Sequence, residues 1–228
     1  NPSPATRDMS QNRNLIYLAG HNSFFDKIIE SKRLEILNII KNIIKNFQIK
    51  DALDIGTTSD DENKSSNLII KNLENIEIFK SISNQKIEIG FFTKTKQKSI
   101  TENFSKDEIN EFKSDLVVSS AVIEHVGSQK NQEKMIENIF KLTKKMFIIT
   151  TPNRSYPVDF HTKIPFLHWL PKKVHRKILR FIGMSFFSKE ENLNLLARND
   201  IHSYLRKYEL DYKIIDLKLM GLSSNFII

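Results

Sequence analysis

Apolar and polar positions along the chain switch between helical and strand periods, and this pattern predicts an α/β domain. Apolar residues recur at helical spacing over 24–47, and short apolar runs bounded by turn residues follow it. These runs predict strands at 52–55, 76–82, 87–92, 116–119 and 146–150. Strands separated by helical segments favour a parallel sheet with helices on both faces.

The connecting segments and the chain end complete this prediction. Helices are predicted at 67–73 and 131–144, and another from 188 to about 208, where Ser188 and Glu191 have the spacing of a capping box. The segments 212–220 and 225–228 predict an antiparallel hairpin around Gly221. We predict an irregular arm at 1–22. Residues 23–228 are predicted to form one domain, with a helical lid inserted at about 155–189.

Composition and charge narrow the classes of function. The absence of cysteine excludes disulfides, thiolate chemistry and cysteine-based zinc sites. The chain has no apolar run long enough to span a membrane and begins without a signal-peptide pattern, so we expect a cytoplasmic protein. The net charge is +8, and residues 163–189 contain seven Lys and Arg but no Asp or Glu. Such a local patch favours an anionic partner.

The basic segment itself predicts a short amphipathic helix at 171–182. One side of it carries Val174, Ile178 and Leu179, and the other carries lysines and arginines. We consider three interpretations of this basic helix: a solvated helix face, peripheral contact with the inner-membrane surface, and binding of a phosphate-bearing substrate. Nucleic acid is disfavoured because no helix-turn-helix, zinc-finger or RNP pattern accompanies the patch.

Three groups of polar residues follow predicted strands. Gly56 ends the first strand, Glu124 and His125 follow the strand at 116–119, and a dense polar segment at 150–161 follows the next. The carboxyl ends of parallel strands share one edge of a sheet, where open α/β folds bind ligands. His125 and His161 are candidate bases, with Asp159 as the residue that orients them.

A metal site is not expected from the sequence. His161, His168 and His175 are evenly spaced, but Pro165 and Pro171 interrupt any helix through them. The chain also lacks an H-E-x-x-H pattern.

Three motifs of the chain resemble those of class I S-adenosylmethionine-dependent methyltransferases. In chain order they are L-D-I-G-T-T, D-L-V-V-S-S-A-V-I-E-H-V and F-I-I-T-T-P-N-R. E-H-V-G-S and T-P-N-R-x-x-P-V-D-F-H resemble a bacterial subgroup that has a short helical lid. The resemblance covers about 36–228. It implies a Rossmann-like three-layer sandwich, whose seven-stranded sheet is mostly parallel with an antiparallel final strand. It also implies S-adenosyl-L-methionine as cofactor and in-line methyl transfer to a small-molecule, glycan or lipid-linked acceptor.

The resemblance also implies site residues. Those implied for the cofactor are Asp54, Gly56, Thr57, Thr58, Ser119, Ser120 and Ala121. Those implied or proposed for the acceptor are Glu124, Asn153, Arg154, Tyr156 and Trp169.

Two alternatives stay open. The chain has Gly56-Thr57-Thr58 where the family usually has Gly-x-Gly, and its second strand lacks the usual terminal carboxylate. A non-catalytic binding protein with the same fold is therefore one alternative. A nucleic-acid methyltransferase is the other.

Overall fold

A seven-stranded sheet forms the centre of the protein in a computed structural model, which describes residues 24–59, 66–208 and 211–228. Its strands are β1 (Asp51–Ile55), β2 (Ile78–Ser83), β3 (Lys94–Gln97), β4 (Ser114–Ser120), β5 (Thr143–Pro152), β6 (Ile215–Leu219) and β7 (Leu222–Ile227). The strand order is β3-β2-β1-β4-β5-β7-β6. Neighbours from β3 to β5 pair in parallel, and β7 is antiparallel to both β5 and β6. The predicted fold class is confirmed.

Helices cover both faces of this sheet. They are α1 (Phe24–Ile44), α2 (Leu68–Lys71), α3 (Lys106–Phe112), α4 (Gln129–Leu142), α5 (Lys172–Phe181) and α6 (Arg198–Leu205). Apolar side chains of α1 and α2 pack in one core cluster, and those of α3, α4 and α6 pack in the other. Helix α5 lies in the segment between β5 and α6, which has a small apolar cluster of its own.

The central strands alternate between the two cores. Leu53 and Val117 point into the core beneath α4, whereas Ala52 and Leu116 point into the core beneath α1. All four are fully buried. Strands apolar on both faces are typical of parallel sheets.

The strand predicted at 87–92 is wrong. Ile87 and Phe92 are buried, but they lie in turns and irregular backbone. The edge strand is instead β3, whose lysines are largely exposed because it pairs on one side only. Helix α3 had no prediction, although Ser105 and Glu108 form its capping box.

The helix predicted from Ser188 to 208 is also wrong over its first half. The Ser188 hydroxyl donates to the carbonyl oxygen of Ser185 instead of capping a helix. Residues 189–197 are not helical: Leu196 forms a parallel bridge with Asn153, just after β5, and α6 begins only at Arg198. The aspartate at position 200, on α6, caps it by accepting a hydrogen bond from the Ala197 amide.

The closing hairpin is confirmed, with Met220 and Gly221 as its turn residues, both at positive φ. Two consecutive positive φ values are typical of tight hairpin turns. The predicted arm, 1–22, lies outside the described residues. Among the described helices, none has the length and apolar character needed to cross a membrane.

Two buried carboxylates pair with lysines at the amino edge of the sheet. Asp51 accepts hydrogen bonds from Lys80, from Lys144 and from the backbone amide of Asp115. Asp115 in turn accepts from Lys145. Burial opposes ionisation of both, but these hydrogen bonds outweigh it and hold the pKa of each carboxyl below its usual value.

We expect Asp51→Asn to lower the free energy of unfolding at pH 7 by about 1–3 kcal/mol, since charged hydrogen bonds are lost. A depressed pKa contributes stability above the ordinary value of 3.8, and that stability is lost as the pH falls through the folded-state pKa. The difference from wild type should therefore shrink below pH 3.8. Urea unfolding at several pH values measures it, with the exposed Asp107→Asn as control. A difference independent of pH would contradict the assignment.

Candidate active site

An open cavity lies at the carboxyl ends of β1 and β4. Strand order reverses between these two strands, and open α/β sheets bind ligands at such a point. The cavity measures about 210 Å³. Its lining includes residues from both strand ends, from α1 and from the start of α2: Arg33, Ile36, Asp54, Ile55, Gly56, Thr58, Ser66, Asn67, Leu68, Ile69, Ile70, Ser120, Ala121 and Val122.

Gly56 allows the turn after β1 to pass close to the loop after β4. Its φ is +86°, a conformation that side chains disfavour. A Cβ atom built on Gly56 would lie 2.4 Å from a methyl group of Val122. The turn is held further on by Asn67, which accepts a hydrogen bond from the Thr58 amide and donates one to the Thr58 carbonyl. Any side chain at position 56 would therefore collide with Val122, which lines the cavity.

Asp54 places a carboxyl group at this cavity. Burial raises its pKa to about 6, although a hydrogen bond from the Thr57 hydroxyl acts in the opposite direction. A buried carboxylate without a cation is costly in free energy. A cationic ligand in the cavity would reduce that cost.

Most of the residues that the sequence analysis assigned to a cofactor line this cavity. Thr57 and Ser119 do not line it, because both side chains are buried. The Thr57 hydroxyl donates to Asp54, and the Ser119 hydroxyl donates to the carbonyl of Ile55. No motif pointed to Arg33, because it lies on a helix outside every one of them. Asn67 was also missed.

Strain marks the opposite wall of the cavity. Ala121 has φ +54°, in the left-handed region that residues with a Cβ atom adopt at a cost in energy. Its amide nevertheless donates to the carbonyl of Thr150, so the conformation is held by the sheet. Such conformations cluster at ligand sites.

A second group of polar side chains follows β4 and β5. His125 and His161 face each other, with their Nε2 atoms 3.2 Å apart. The Nδ1 atom of His125 donates to the carbonyl of Asn192, and that of His161 to Asp159. Glu124, which is fully buried, accepts a hydrogen bond from Thr151 through Oε2. The structure therefore brings together the predicted bases and the predicted orienting residue.

Protonation differs across this group. Burial disfavours the charged form of Asp159, but hydrogen bonds from His161 and Thr162 hold its pKa well below the usual range. Burial also tends to lower the pKa of His161, but Asp159 outweighs this and raises it. The pKa of His125 is lowered because surrounding protein atoms desolvate the ring, although one edge reaches solvent. The role of either histidine as a base stays a prediction.

The histidines that prompted the question of a metal have separate environments. His168 is buried, and its Nε2 bonds to the carbonyl of Tyr156. His175 lies on α5, and among the described residues its buried Nε2 has no hydrogen-bond partner. His161 instead meets Glu124 and His125, far away in sequence, with potential ligand atoms within 4.8 Å of one another.

The remaining acceptor-side residues are placed less directly. The side-chain amide of Asn153 donates to the carbonyl of Ser223. The guanidinium of Arg154 donates to the carbonyls of His168 and Leu170. These contacts attach the segment after β5 to its neighbours. Tyr156 is buried and stacks on Phe160. Trp169 is half exposed on the surface. A substrate role for these four predicted residues stays a prediction.

No protein-family model matches the chain, and no curated protein sequence matches it significantly. Solved structures do match it. The magnesium protoporphyrin IX methyltransferase from Synechocystis PCC 6803 with bound SAM is 12% identical with a TM-score of 0.57, covering 98% of this chain and 93% of that chain. An S-adenosylmethionine-dependent methyltransferase from Clostridium acetobutylicum ATCC 824 is 10% identical with a TM-score of 0.54, covering 99% and 97%.

A third match is the methyltransferase domain of bacterial CtHen1-C, which is 14% identical with a TM-score of 0.54 and covers 86% of this chain and 96% of that chain. At these identities the matches establish the fold alone. The chain therefore has the three-layer fold found in these methyltransferases.

We expect Gly56→Ala to destabilise the protein by about 1–3 kcal/mol, because the new methyl group overlaps Val122 and the backbone is strained. Gly90→Ala is the matched control, since a Cβ atom there meets nothing within 4 Å. Thermal and urea unfolding measure both. Equal effects of the two substitutions would contradict the close packing inferred at Gly56.

Proposed function

We propose that the protein is an S-adenosylmethionine-dependent methyltransferase that binds the cofactor in the cavity between β1 and β4. The observation that carries the proposal is the buried Asp54 carboxyl beside the tight turn at Gly56, in a cavity at the switch point of the sheet. Structures with this fold include one with bound SAM and one with bound SAH, which supports the same cofactor here.

The chemistry of the cavity fits the methionine part of this cofactor. S-adenosylmethionine carries an ammonium group and a sulfonium, and Asp54 offers the negative charge that such a ligand needs. Arg33 offers a positive charge for the carboxylate of the same moiety.

The acceptor is proposed to lie beyond Val122, towards Glu124 and the histidine pair. Methyl transfer requires mainly that a nucleophile be aligned with the sulfonium methyl group and that water be excluded. Glu124 follows the cavity residues Ala121 and Val122 within one turn of chain, so the two groups of residues adjoin. This juxtaposition supports a transfer site between them.

The outer surface of the segment 155–189 supports an anionic, lipid-linked acceptor. Phe181 is 91% exposed and Trp169 is 50% exposed. Lys173, Lys177 and Arg180 are exposed on α5, the helix that ends at Phe181, and have no acidic partner among the described residues. Exposed aromatic groups next to cations are typical of helices that lie on anionic membrane surfaces. We infer that this surface brings the site to its acceptor.

The cofactor proposal predicts pH-dependent binding of S-adenosylhomocysteine, the reaction product. Its ammonium group needs an ionised Asp54, so affinity should rise as the pH rises through about 6 and fall by up to about tenfold per pH unit below it. The other titratable residue of the cavity lining, Arg33, stays charged. Isothermal titration measures the affinity.

Three variants sharpen that experiment. Asp54→Asn should bind more weakly and without the pH dependence, Gly56→Ala should lose binding, and Gly90→Ala should bind like wild type. Wild-type protein saturated at about 100 times the dissociation constant should gain about 2.7 kcal/mol of stability. If millimolar product gives neither heat nor stabilisation, the protein is the non-catalytic alternative.

The membrane proposal predicts sedimentation with vesicles that contain phosphatidylglycerol but not with vesicles of phosphatidylcholine alone. Replacing Lys173, Lys177 and Arg180 by Gln should weaken vesicle binding by about 1 kcal/mol for each charge removed. Replacing the equally exposed Lys27, Lys106 and Lys130 by Gln changes the net charge equally and should have less effect. Equal losses would indicate diffuse attraction only.

One structural neighbour is a small RNA methyltransferase, HEN1, so RNA needs its own arm of the experiment. Binding to single-stranded RNA that falls steeply with salt, without vesicle binding, would replace the lipid proposal by the nucleic-acid alternative.

A further inference from the structure

Three side chains converge behind the proposed acceptor site: Glu124, His125 and His161. Each offers one potential metal-ligand atom, and these atoms all lie within 4.8 Å of one another. Glu124 and His125 belong to the short 3-10 turn after β4, whereas His161 lies in the segment after β5. Residues from two chain segments therefore point their polar atoms at one place.

The hydrogen bonds of the two rings fix where their protons lie. The Nδ1 atom of His125 is 2.6 Å from the carbonyl oxygen of Asn192, which can only accept a hydrogen bond. The Nδ1 atom of His161 is 3.1 Å from Asp159, whose ionised carboxylate also only accepts. Both Nδ1 atoms must therefore carry hydrogen. In neutral rings both Nε2 atoms then present lone pairs, and these face each other at 3.2 Å.

At that distance either one Nε2 atom carries a proton that the other accepts, or a cation lies between them. The carboxylate of Glu124 adds a negative charge to the same place. Its residue has no exposed surface, and Oε1 has no hydrogen-bond partner among the described residues. A buried carboxylate oxygen without a partner is costly and rare. A cation at their meeting point would satisfy both Nε2 lone pairs and the Glu124 carboxylate together.

We propose that Glu124, His125 and His161 bind a divalent first-row transition-metal ion, of the Zn²⁺ or Mn²⁺ type. Imidazole nitrogen together with carboxylate oxygen is a donor set that such ions accept. Two nitrogens at about 2.0–2.1 Å from a tetrahedral Zn²⁺ are about 3.3–3.4 Å apart, close to the spacing of the two Nε2 atoms. Little movement of the rings would be needed.

Each proposed ligand also has the supporting contact that metal ligands usually have. Metal-bound histidines donate their other N–H to a carboxylate or a carbonyl, and ligating carboxylates accept further hydrogen bonds. His161 donates to Asp159 and His125 to a backbone carbonyl, while Glu124 accepts from Thr151. Asp159 is itself held by the amide and hydroxyl of Thr162.

Three protein ligands leave coordination positions for water or for a substrate atom. The assignment of those positions to an oxygen-bearing acceptor rests on the proposed methyl transfer. Metal binding itself does not, and it can be measured without cofactor or acceptor.

The test is isothermal titration of Zn²⁺, and separately of Mn²⁺, into the protein after it has been stripped of metal with a chelator. We expect one ion per chain. Glu124→Gln and His161→Gln should each weaken binding by more than about 100-fold, and Asp159→Asn by about 10–100-fold, the loss typical for a residue that supports a ligand. His202→Asn is the matched control. His202 lies on α6, outside the cluster, and its ring forms a hydrogen bond with the hydroxyl of Tyr212. This variant should bind like wild type.

X-ray absorption of the zinc-loaded wild type gives a readout that needs no variant. It should show two imidazoles in the first coordination shell. Absence of binding at millimolar metal would overturn the proposal and leave a proton shared between the rings. Binding that survives both ligand substitutions, or a shell without imidazole, would overturn it as well. Because binding is measured without cofactor, its failure is distinguishable from failure of the proposed methyl transfer.

Discussion

The parallel pairing of β1 with β4, buried on both faces, sets where the helices pack and where the candidate site lies. Leu53 and Val117 fill one core while Ala52 and Leu116 fill the other, so helices must cover both sides. Strand order reverses between these two strands, and the chain leaves them in opposite directions. The gap that results is the cavity, and the turn at Gly56 can reach it only because no side chain opposes Val122.

Polar groups are concentrated at that edge at a cost in stability. Asp54 is buried with a raised pKa, Ala121 holds a strained backbone, and Glu124 keeps an oxygen without a partner. The amino edge differs, because there the buried carboxylates of Asp51 and Asp115 are matched by lysines. The buried carboxylates at the amino edge of the sheet are therefore paired within the protein, whereas the polar groups at the carboxyl edge need a ligand.

The segment 189–197 holds Glu124 and His125 in place through hydrogen bonds. The Asn194 amide donates to the carbonyl of Glu124, and its side chain donates to Gly127. The carbonyl of Asn192 accepts the Nδ1 proton of His125. A helix here, as the capping pattern at Ser188 predicted, would have removed these contacts. The local preference for a helix after Ser188 is thus overridden by tertiary hydrogen bonds, one of which orients the ring of His125.

The pattern of apolar residues along the chain predicts the sheet class, its central strands, α1, α4, α5 and the closing hairpin, because burial on one or both faces makes apolar positions periodic. The sequence also shows which strand ends carry polar residues. It could not find β3, whose polar edge position has no such pattern, nor Arg33, which lies outside every motif. The contact of His161 with His125 is visible only in the folded protein, because residues 36 positions apart become neighbours through the sheet edge alone.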